Sequence, residues 1–266
     1  MSRASSPSPL PTSSASPRYD SVDALRGFAM VWMTVFHFCF DLSHWGFWAQ
    51  NFRVDPFWTG QRTAIVSLFL FCAGLGQAIA LHQGQGWPRF ARRWLQIAGC
   101  ALLVSAGSFV LFPHSFIYFG VLHGMAVMLV VARCTAGWGA WLWLAGAVAL
   151  GLPWVAQQLL TSGWADAAPW FNARALNWLG LVSRKPFTED YVPVLPWLGV
   201  MWWGLAAGQW ATQRSERARW LGWPLPAGLR PLATLGRWSL SYYMAHQPVM
   251  IGLLLAAAWL SRTLGR

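Results

Sequence analysis

Residues 23–44, DALRGFAMVWMTVFHFCFDLSH, form an apolar run that holds Arg26, His37, Asp41 and His44. Each can do chemistry. An imidazole takes up a proton or carries an acyl group near neutral pH. A carboxylate one helical turn away can orient or charge that imidazole, and a guanidinium attracts phosphates. The spacing fits a shared site: Asp41 follows His37 at i+4 and His44 follows it at i+7. Arg26 precedes His37 by 11 residues, close to three turns of one helix face with a rise of about 16 Å. Blander readings stand beside this one. Arg26 can snorkel to a surface, His44 can rest in an interface, and His37 can pack helices through one hydrogen bond. His37, Asp41 and His44 can also converge on a metal, but no matching ligand cluster occurs elsewhere in the sequence, so no metal is expected.

Other polar side chains interrupt apolar runs in the same way. TGQRTAIVSLFLFCAG contains Gln61, Arg62 and Ser67, and YFGVLHGMAV contains His123. LGRWSLSYYMAHQPVM brings Arg237, two serines, Tyr242, Tyr243, His246 and Gln247, followed by Pro248, which frees a carbonyl near His246. Together they predict a polar cavity inside a bundle. The sequence has no nucleophile elbow, phosphate loop or HExxH.

These residues need long helices to hold them, and the composition predicts such helices in lipid. The 266 residues are 56% hydrophobic and 10% charged, against about 25% charged in soluble domains. A span needs about 20 mostly apolar residues. Seven runs qualify, at roughly 24–43, 60–81, 92–112, 117–134, 138–159, 192–211 and 232–259. The expected fold class is all-α, a polytopic transmembrane bundle of about seven helices occupying residues 18–266. Pro153 and Pro248 are expected to kink or end their helices. Trp45, Trp48, Trp138, Trp202 and Trp203 suit membrane interfaces. Cys39, Cys72, Cys100 and Cys134 read as small buried hydrophobes. Residues 1–17, rich in Ser, Pro and Ala, read as a disordered cytoplasmic tail.

The net charge is +11, but the arginines sit in short connections rather than on one soluble face, so no nucleic-acid partner is expected. Counting Arg and Lys on alternate sides gives 12 on the N-terminal side and 7 on the other. That bias predicts a cytoplasmic N-terminus and an outer C-terminus. The longest outer segment, about 160–191, carries Asp166, Glu189 and Asp190 and can cover an outward-facing site.

Five blocks, in order, carry a family resemblance: RYDSVDALRGFAMVWMTVFHFCFDL, RTAIVSLFLFCAG, YFGVLHGMAVMLV, DYVPVLPWLGVMWWGLAAG and LGRWSLSYYMAHQPVMIGLL. Across about residues 18–260 the chain resembles the bacterial members of the heparan-α-glucosaminide N-acetyltransferase catalytic-domain family. That family is similar to a wider group of transmembrane acyltransferases with an Arg followed, after ten intervening residues, by a His in the first helix, here Arg26 and His37. One departure concerns the stretch before the second helix. The lysosomal namesake's catalytic His lies there, whereas WAQNFRVDPFW has none, and the nearest is His44.

The resemblance implies acyl transfer from cytoplasmic acetyl-CoA or another acyl-CoA to an acceptor on the other side, commonly a sugar or glycan. On that reading the catalytic candidates are His37, Asp41 and His44, with the choice between His37 and His44 open. Arg26, Arg92, Arg93 and Arg237 would attract CoA phosphates. Gln61, Arg62, His123, His246 and Gln247 would meet the acceptor or the oxyanion. The expected setting is the bacterial cytoplasmic membrane, in keeping with an arginine-rich, lysine-poor composition. A homodimer is compatible with it. The competing classes are a transporter or flippase without covalent chemistry, and a structural subunit of an envelope complex.

Overall fold

The structure is a computed structural model and describes residues 19–213, 222 and 224–263. The expected tail lies outside the described residues, as do Arg3, Arg18, Arg214, Arg217, Arg219 and Arg266 of the orientation count. Asp20 and Asp23 open α1 (Asp20–His44), where negative charge suits the positive end of the helix dipole. Asp55 caps α2 (Pro56–His82) by accepting the Phe57 amide at 2.8 Å, with proline in the first turn. Next come α3 (Trp87–Leu111), α4 (Val121–Cys134), α5 (Trp141–Thr161) and the short α6 (Ala168–Asn172). The chain closes with α7 (Val194–Thr212), α8 (Arg230–Arg237) and α9 (Ser239–Thr263). Among the described residues there is no strand, only an isolated parallel bridge between Phe119 and Tyr191. The molecule is an all-helical membrane bundle.

Among the described residues, five helices are long and apolar enough to cross a membrane: α1, α2, α3, α5 and α9. The other two expected spans are modified. The fourth is a helix of 14 residues, about 21 Å long against a hydrocarbon core of about 30 Å. It is preceded by an irregular segment that holds the isolated bridge at Phe119. The sixth, α7, has 19 residues, and Leu195 near its start is non-helical, as the proline after it requires. Irregular backbone at such depth is stable only inside protein or beside a cavity.

The seventh run divides at Trp238 rather than bending at Pro248, and α9 continues through that proline. The cause is close packing of α8 on α1. A Cβ on Gly27 would strike the Leu232 carbonyl, and one on Gly236 would strike the Asp23 carbonyl. Hydropathy does not register a turn made by backbone contact. Pro153 likewise lies within a continuous α5.

The core runs along α2, α4, α5 and α7, where Leu70, Met128, Leu142, Met201 and Leu205 are wholly buried. Gly204 and Gly208 of α7 form a GxxxG pair against α2, the small-residue seam of packed membrane helices. A Cβ on Gly204 would meet the Phe71 carbonyl, and one on Gly74 the Met201 carbonyl. Trp202 and Trp203 also tie α7 to its neighbours, donating to Thr135 Oγ1 at 2.9 Å and the Trp143 carbonyl at 3.0 Å. Cys72 is buried as expected, whereas Cys134 is exposed at the end of α4.

Candidate functional site

Helices α1, α2, α3, α4, α8 and α9 enclose a chamber of about 450 Å³ that opens on the side where α1 begins. Its mouth holds Asp23, Arg26, Arg93 and Arg237, and its inner end reaches Met30, Val121, Leu122 and Tyr243. Arg26 donates to Asp23 at 3.0 Å and to the Cys72 carbonyl at 3.3 Å. The guanidinium lies where a side chain at Gly76 would otherwise stand. Arg237 pairs with Asp20 at 2.7 Å and lies 3.7 Å from Asp23. Among the described residues Arg93 donates to a neutral group, Gln96 at 3.1 Å, and has no carboxylate within 4.0 Å.

A second cavity, of about 280 Å³, lies on the far side between α2, the start of α7 and the segment 180–193. Arg62, Lys185, Glu189, Asp190 and Tyr191 line it. The two cavities nearly meet. Val121 lines the first and Asp190 the second, yet the Val121 amide donates to Asp190 Oδ2 at 2.8 Å. Tyr243, at the inner end of the first chamber, is close enough to Asp190 to feel its charge.

This contact explains the short α4. Its positive N-terminal end is buried at depth, and a carboxylate there satisfies an orphan amide and the helix dipole together. Gly120 leaves the room, since a Cβ there would strike the Asp190 carboxylate. Withdrawal from bulk water raises the Asp190 pKa above the ordinary carboxylate range, against the opposing pull of the Val121 amide, Lys185, Arg62 and the Tyr191 amide. Burial and the neighbouring Arg62 lower that of Lys185, partly offset by Asp190.

The residues singled out from sequence fall into separate groups. Arg26, Arg93 and Arg237 line the first chamber, and Arg62 lines the second. Arg92 is exposed and lines neither. His37, Asp41, His246 and Gln247 form a polar cluster between α1 and α9, outside both linings. The His37 and His246 rings meet edge to face, centroids 5.3 Å apart. His246 Nδ1 bonds the Tyr243 carbonyl at 2.7 Å. The expected Asp41–His37 pairing is replaced by another: the buried Asp41 accepts the Gln247 amide at 3.0 and 3.1 Å. The helix turn shared by Asp41 and His37 faces α9, whose amide reaches the carboxylate first. His44, at the end of α1, is exposed and stacks on Phe40.

Gln61 accepts from Trp32 Nε1 at 2.8 Å and ties α2 to α1. His123 lies outside both linings: Nδ1 accepts the Gly120 amide at 3.3 Å, and Nε2 bonds Ser105 Oγ at 3.0 Å. Both ring nitrogens are occupied in holding the start of α4. Among the described residues no group of three His, Cys, Asp or Glu side chains is placed to hold a metal ion.

The Asp41–Gln247 bond makes a stability prediction. Asp41→Leu strands a buried amide, a loss of about 1–3 kcal/mol, and should lower the melting temperature of the purified protein. Asp41→Asn retains an acceptor and should stay close to wild type.

Asp190 and Tyr243 are what spacing arguments pass over. Asp190 precedes an apolar run, YVPVLPW, in a segment that reads as an outer loop. The one local signal is an acid immediately before a proline-interrupted helix start. The family model described as "Heparan-alpha-glucosaminide N-acetyltransferase, catalytic" matches residues 18–248. No curated protein and no solved structure matches the chain.

Proposed function

The chain belongs to the heparan-α-glucosaminide N-acetyltransferase catalytic family, a family of membrane acetyltransferases, and on that premise we propose that it moves an acyl group through the wall between its two cavities. The donor is acetyl-CoA or another acyl-CoA, entering the chamber beside α1 from the cytoplasm. The acceptor, a hydroxyl or amine compound such as a sugar, enters the far-side cavity. The bacterial cytoplasmic membrane, with the N-terminus inside, is the setting that the Arg and Lys count supports.

One observation carries the reading: two cavities on opposite sides approach each other to the length of the Val121–Asp190 hydrogen bond. Arg93, Arg237 and Arg26 hold the anionic nucleotide end at the mouth, and the narrow pantetheine arm runs inward past Met30 toward Tyr243. The acceptor X–H gives its proton to the Asp190 carboxylate as the nucleophile attacks the thioester carbonyl. The acyl C–S bond breaks, the C–X bond forms, and the proton passes to the departing thiolate to give CoA thiol. Tyr243 can donate a hydrogen bond to the developing oxyanion. His37, through His246 and its bond to the Tyr243 carbonyl, is a positioning residue in this scheme. Asp41 and Gln247 lock the same helix pair together.

Donor consumption by the purified full chain in nanodiscs tests this. Arg93→Ala should raise the acetyl-CoA KM about tenfold, the worth of one charge-assisted contact, with little change in kcat. A change confined to the acceptor KM would overturn the donor assignment. Two cavities parted by one layer also suit a transporter, as does a half-helix whose N-terminus lies at depth. Acceptor passage without acetyl-CoA consumption would decide for that alternative.

A further inference from the structure

Arg133 ends the stripe that α4 turns toward the chamber beside α1. Leu122, Met125 and Leu129 line that chamber, and Arg133 follows Leu129 at i+4, on the same helix face. The residue is buried, at 8% exposure. Among the described residues it has no carboxylate within 4.0 Å, and its buried Nη1 has no hydrogen-bond partner. A positive charge near the end of α4 suits the helix dipole. The dipole alone, however, requires neither burial nor an unpartnered N–H, and both are costly.

The contacts of this guanidinium go to the connection between α2 and α3. Arg133 Nη2 donates to the Gln85 carbonyl. The centroids of the Trp87 and Phe90 rings each lie 5.4 Å from its central carbon, within cation–π range. Gln83, Gln85 and Phe90 line the chamber, together with Arg93 and Trp94. Trp94 is tied to α4 as well, donating to the Ala126 carbonyl at 2.8 Å. The start of α3 is thus fixed to α4 at two levels, and Arg93 lies between them in sequence. We propose that Arg133 is a positioning residue for the acyl-CoA donor: it clamps the α2–α3 turn so that Gln83, Gln85 and Arg93 are in place before the donor arrives. The inference rests on that chamber being the donor site, and it deepens the reading by naming what holds the chamber wall in shape. A wall ordered in advance binds more tightly, because the ligand does not have to order it. The planar guanidinium can meet a carbonyl and two aromatic rings at once, which a lysine ammonium cannot reproduce.

The test uses the full chain in phosphatidylcholine nanodiscs. CoA binding is measured by calorimetry, and acetyl-CoA consumption and hydrogen exchange over residues 83–90 are followed on the same preparations. The turn's own amide bonds, Gly84 to the Leu81 carbonyl and Gln85 to the Ala80 carbonyl, both 2.9 Å, give exchange a defined baseline. Arg133→Gln should weaken CoA binding about tenfold and raise the donor KM to match. It should leave kcat and the acceptor KM nearly unchanged and speed exchange in the turn. Arg133→Lys keeps the charge at the helix end and should recover only part of the loss. Trp87 is 55% exposed and lies outside the chamber lining, so Trp87→Leu tests the same clamp even if Arg133→Gln does not fold. It should weaken CoA binding about two- to fivefold and also speed exchange. In the Arg133→Gln background its effect should disappear, because the two residues act through one contact. Unchanged CoA affinity, a lowered melting temperature alone, full recovery by Arg133→Lys, or additive losses in the double variant would overturn the proposal. If the unsubstituted protein binds no CoA, the donor assignment is refuted, and the exchange rates then decide the clamp on their own.

Discussion

Asp190→Asn should reduce kcat by about 10²–10⁴-fold, the range that a positioned general base supplies, while the protein remains folded and binds acetyl-CoA normally. The amide oxygen of Asn can still accept the Val121 N–H, so the cap of α4 survives and only the proton-accepting group is lost. The pH profile gives a second readout. A base works when deprotonated, and withdrawal from water raises the Asp190 pKa. The acid limb of kcat/KM should therefore lie above the ordinary carboxylate range of about 4, with the rate falling tenfold per unit below it. Asp190→Asn should abolish that limb. His37→Ala should lower kcat less and leave the limb in place, as befits a residue acting through His246 and Tyr243. If His37→Ala removes the limb and Asp190→Asn does not, the two roles exchange.

The largest effect on folding is expected at the α2–α7 seam. In Gly204→Leu the new Cβ meets the Phe71 carbonyl, and backbone cannot yield as a flexible side chain does. The cost should exceed the about 1–3 kcal/mol of ordinary overpacking. The expected result is loss of the monodisperse peak on size-exclusion chromatography. Gly107→Leu is the control: nothing lies within 4 Å of a Cβ there, and it should purify like wild type. Equal behaviour of the two would show that the seam does not depend on close approach.

The long apolar runs made the helices legible, because a span must satisfy its own backbone and so leaves a run of about 20 residues in the sequence. The periodicity of Arg26 and His37 also reported a shared face. It did not report what that face meets. Arg26 looks toward α2 and the chamber mouth, whereas His37, about three turns on, meets α9 and His246. Distance along one helix says nothing about which neighbour stands at each level. Asp190 was illegible for a different reason. Its role comes from an irregular segment entering the bundle beside a shortened helix, and neither feature has a period. The break at Trp238 belongs to the same class, since it arises from backbone contact at Gly27 and Gly236.

The seating of α8 on α1 fixes an order of events during synthesis. The first helix presents Asp23 and Arg26 at the outset, but Gly236, Arg237, Ser239, Leu240 and Tyr243, which complete the chamber, come near the end of the chain. Until they arrive, the chamber between α1, α2, α3 and α4 lacks the wall that α8 and α9 supply. The chamber beside α1 is thus completed late, when α8 and the start of α9 pack back onto α1. A nascent chain carries Arg26 and Arg93 long before it carries Gly236 to Tyr243, so the chamber closes in one late step rather than helix by helix.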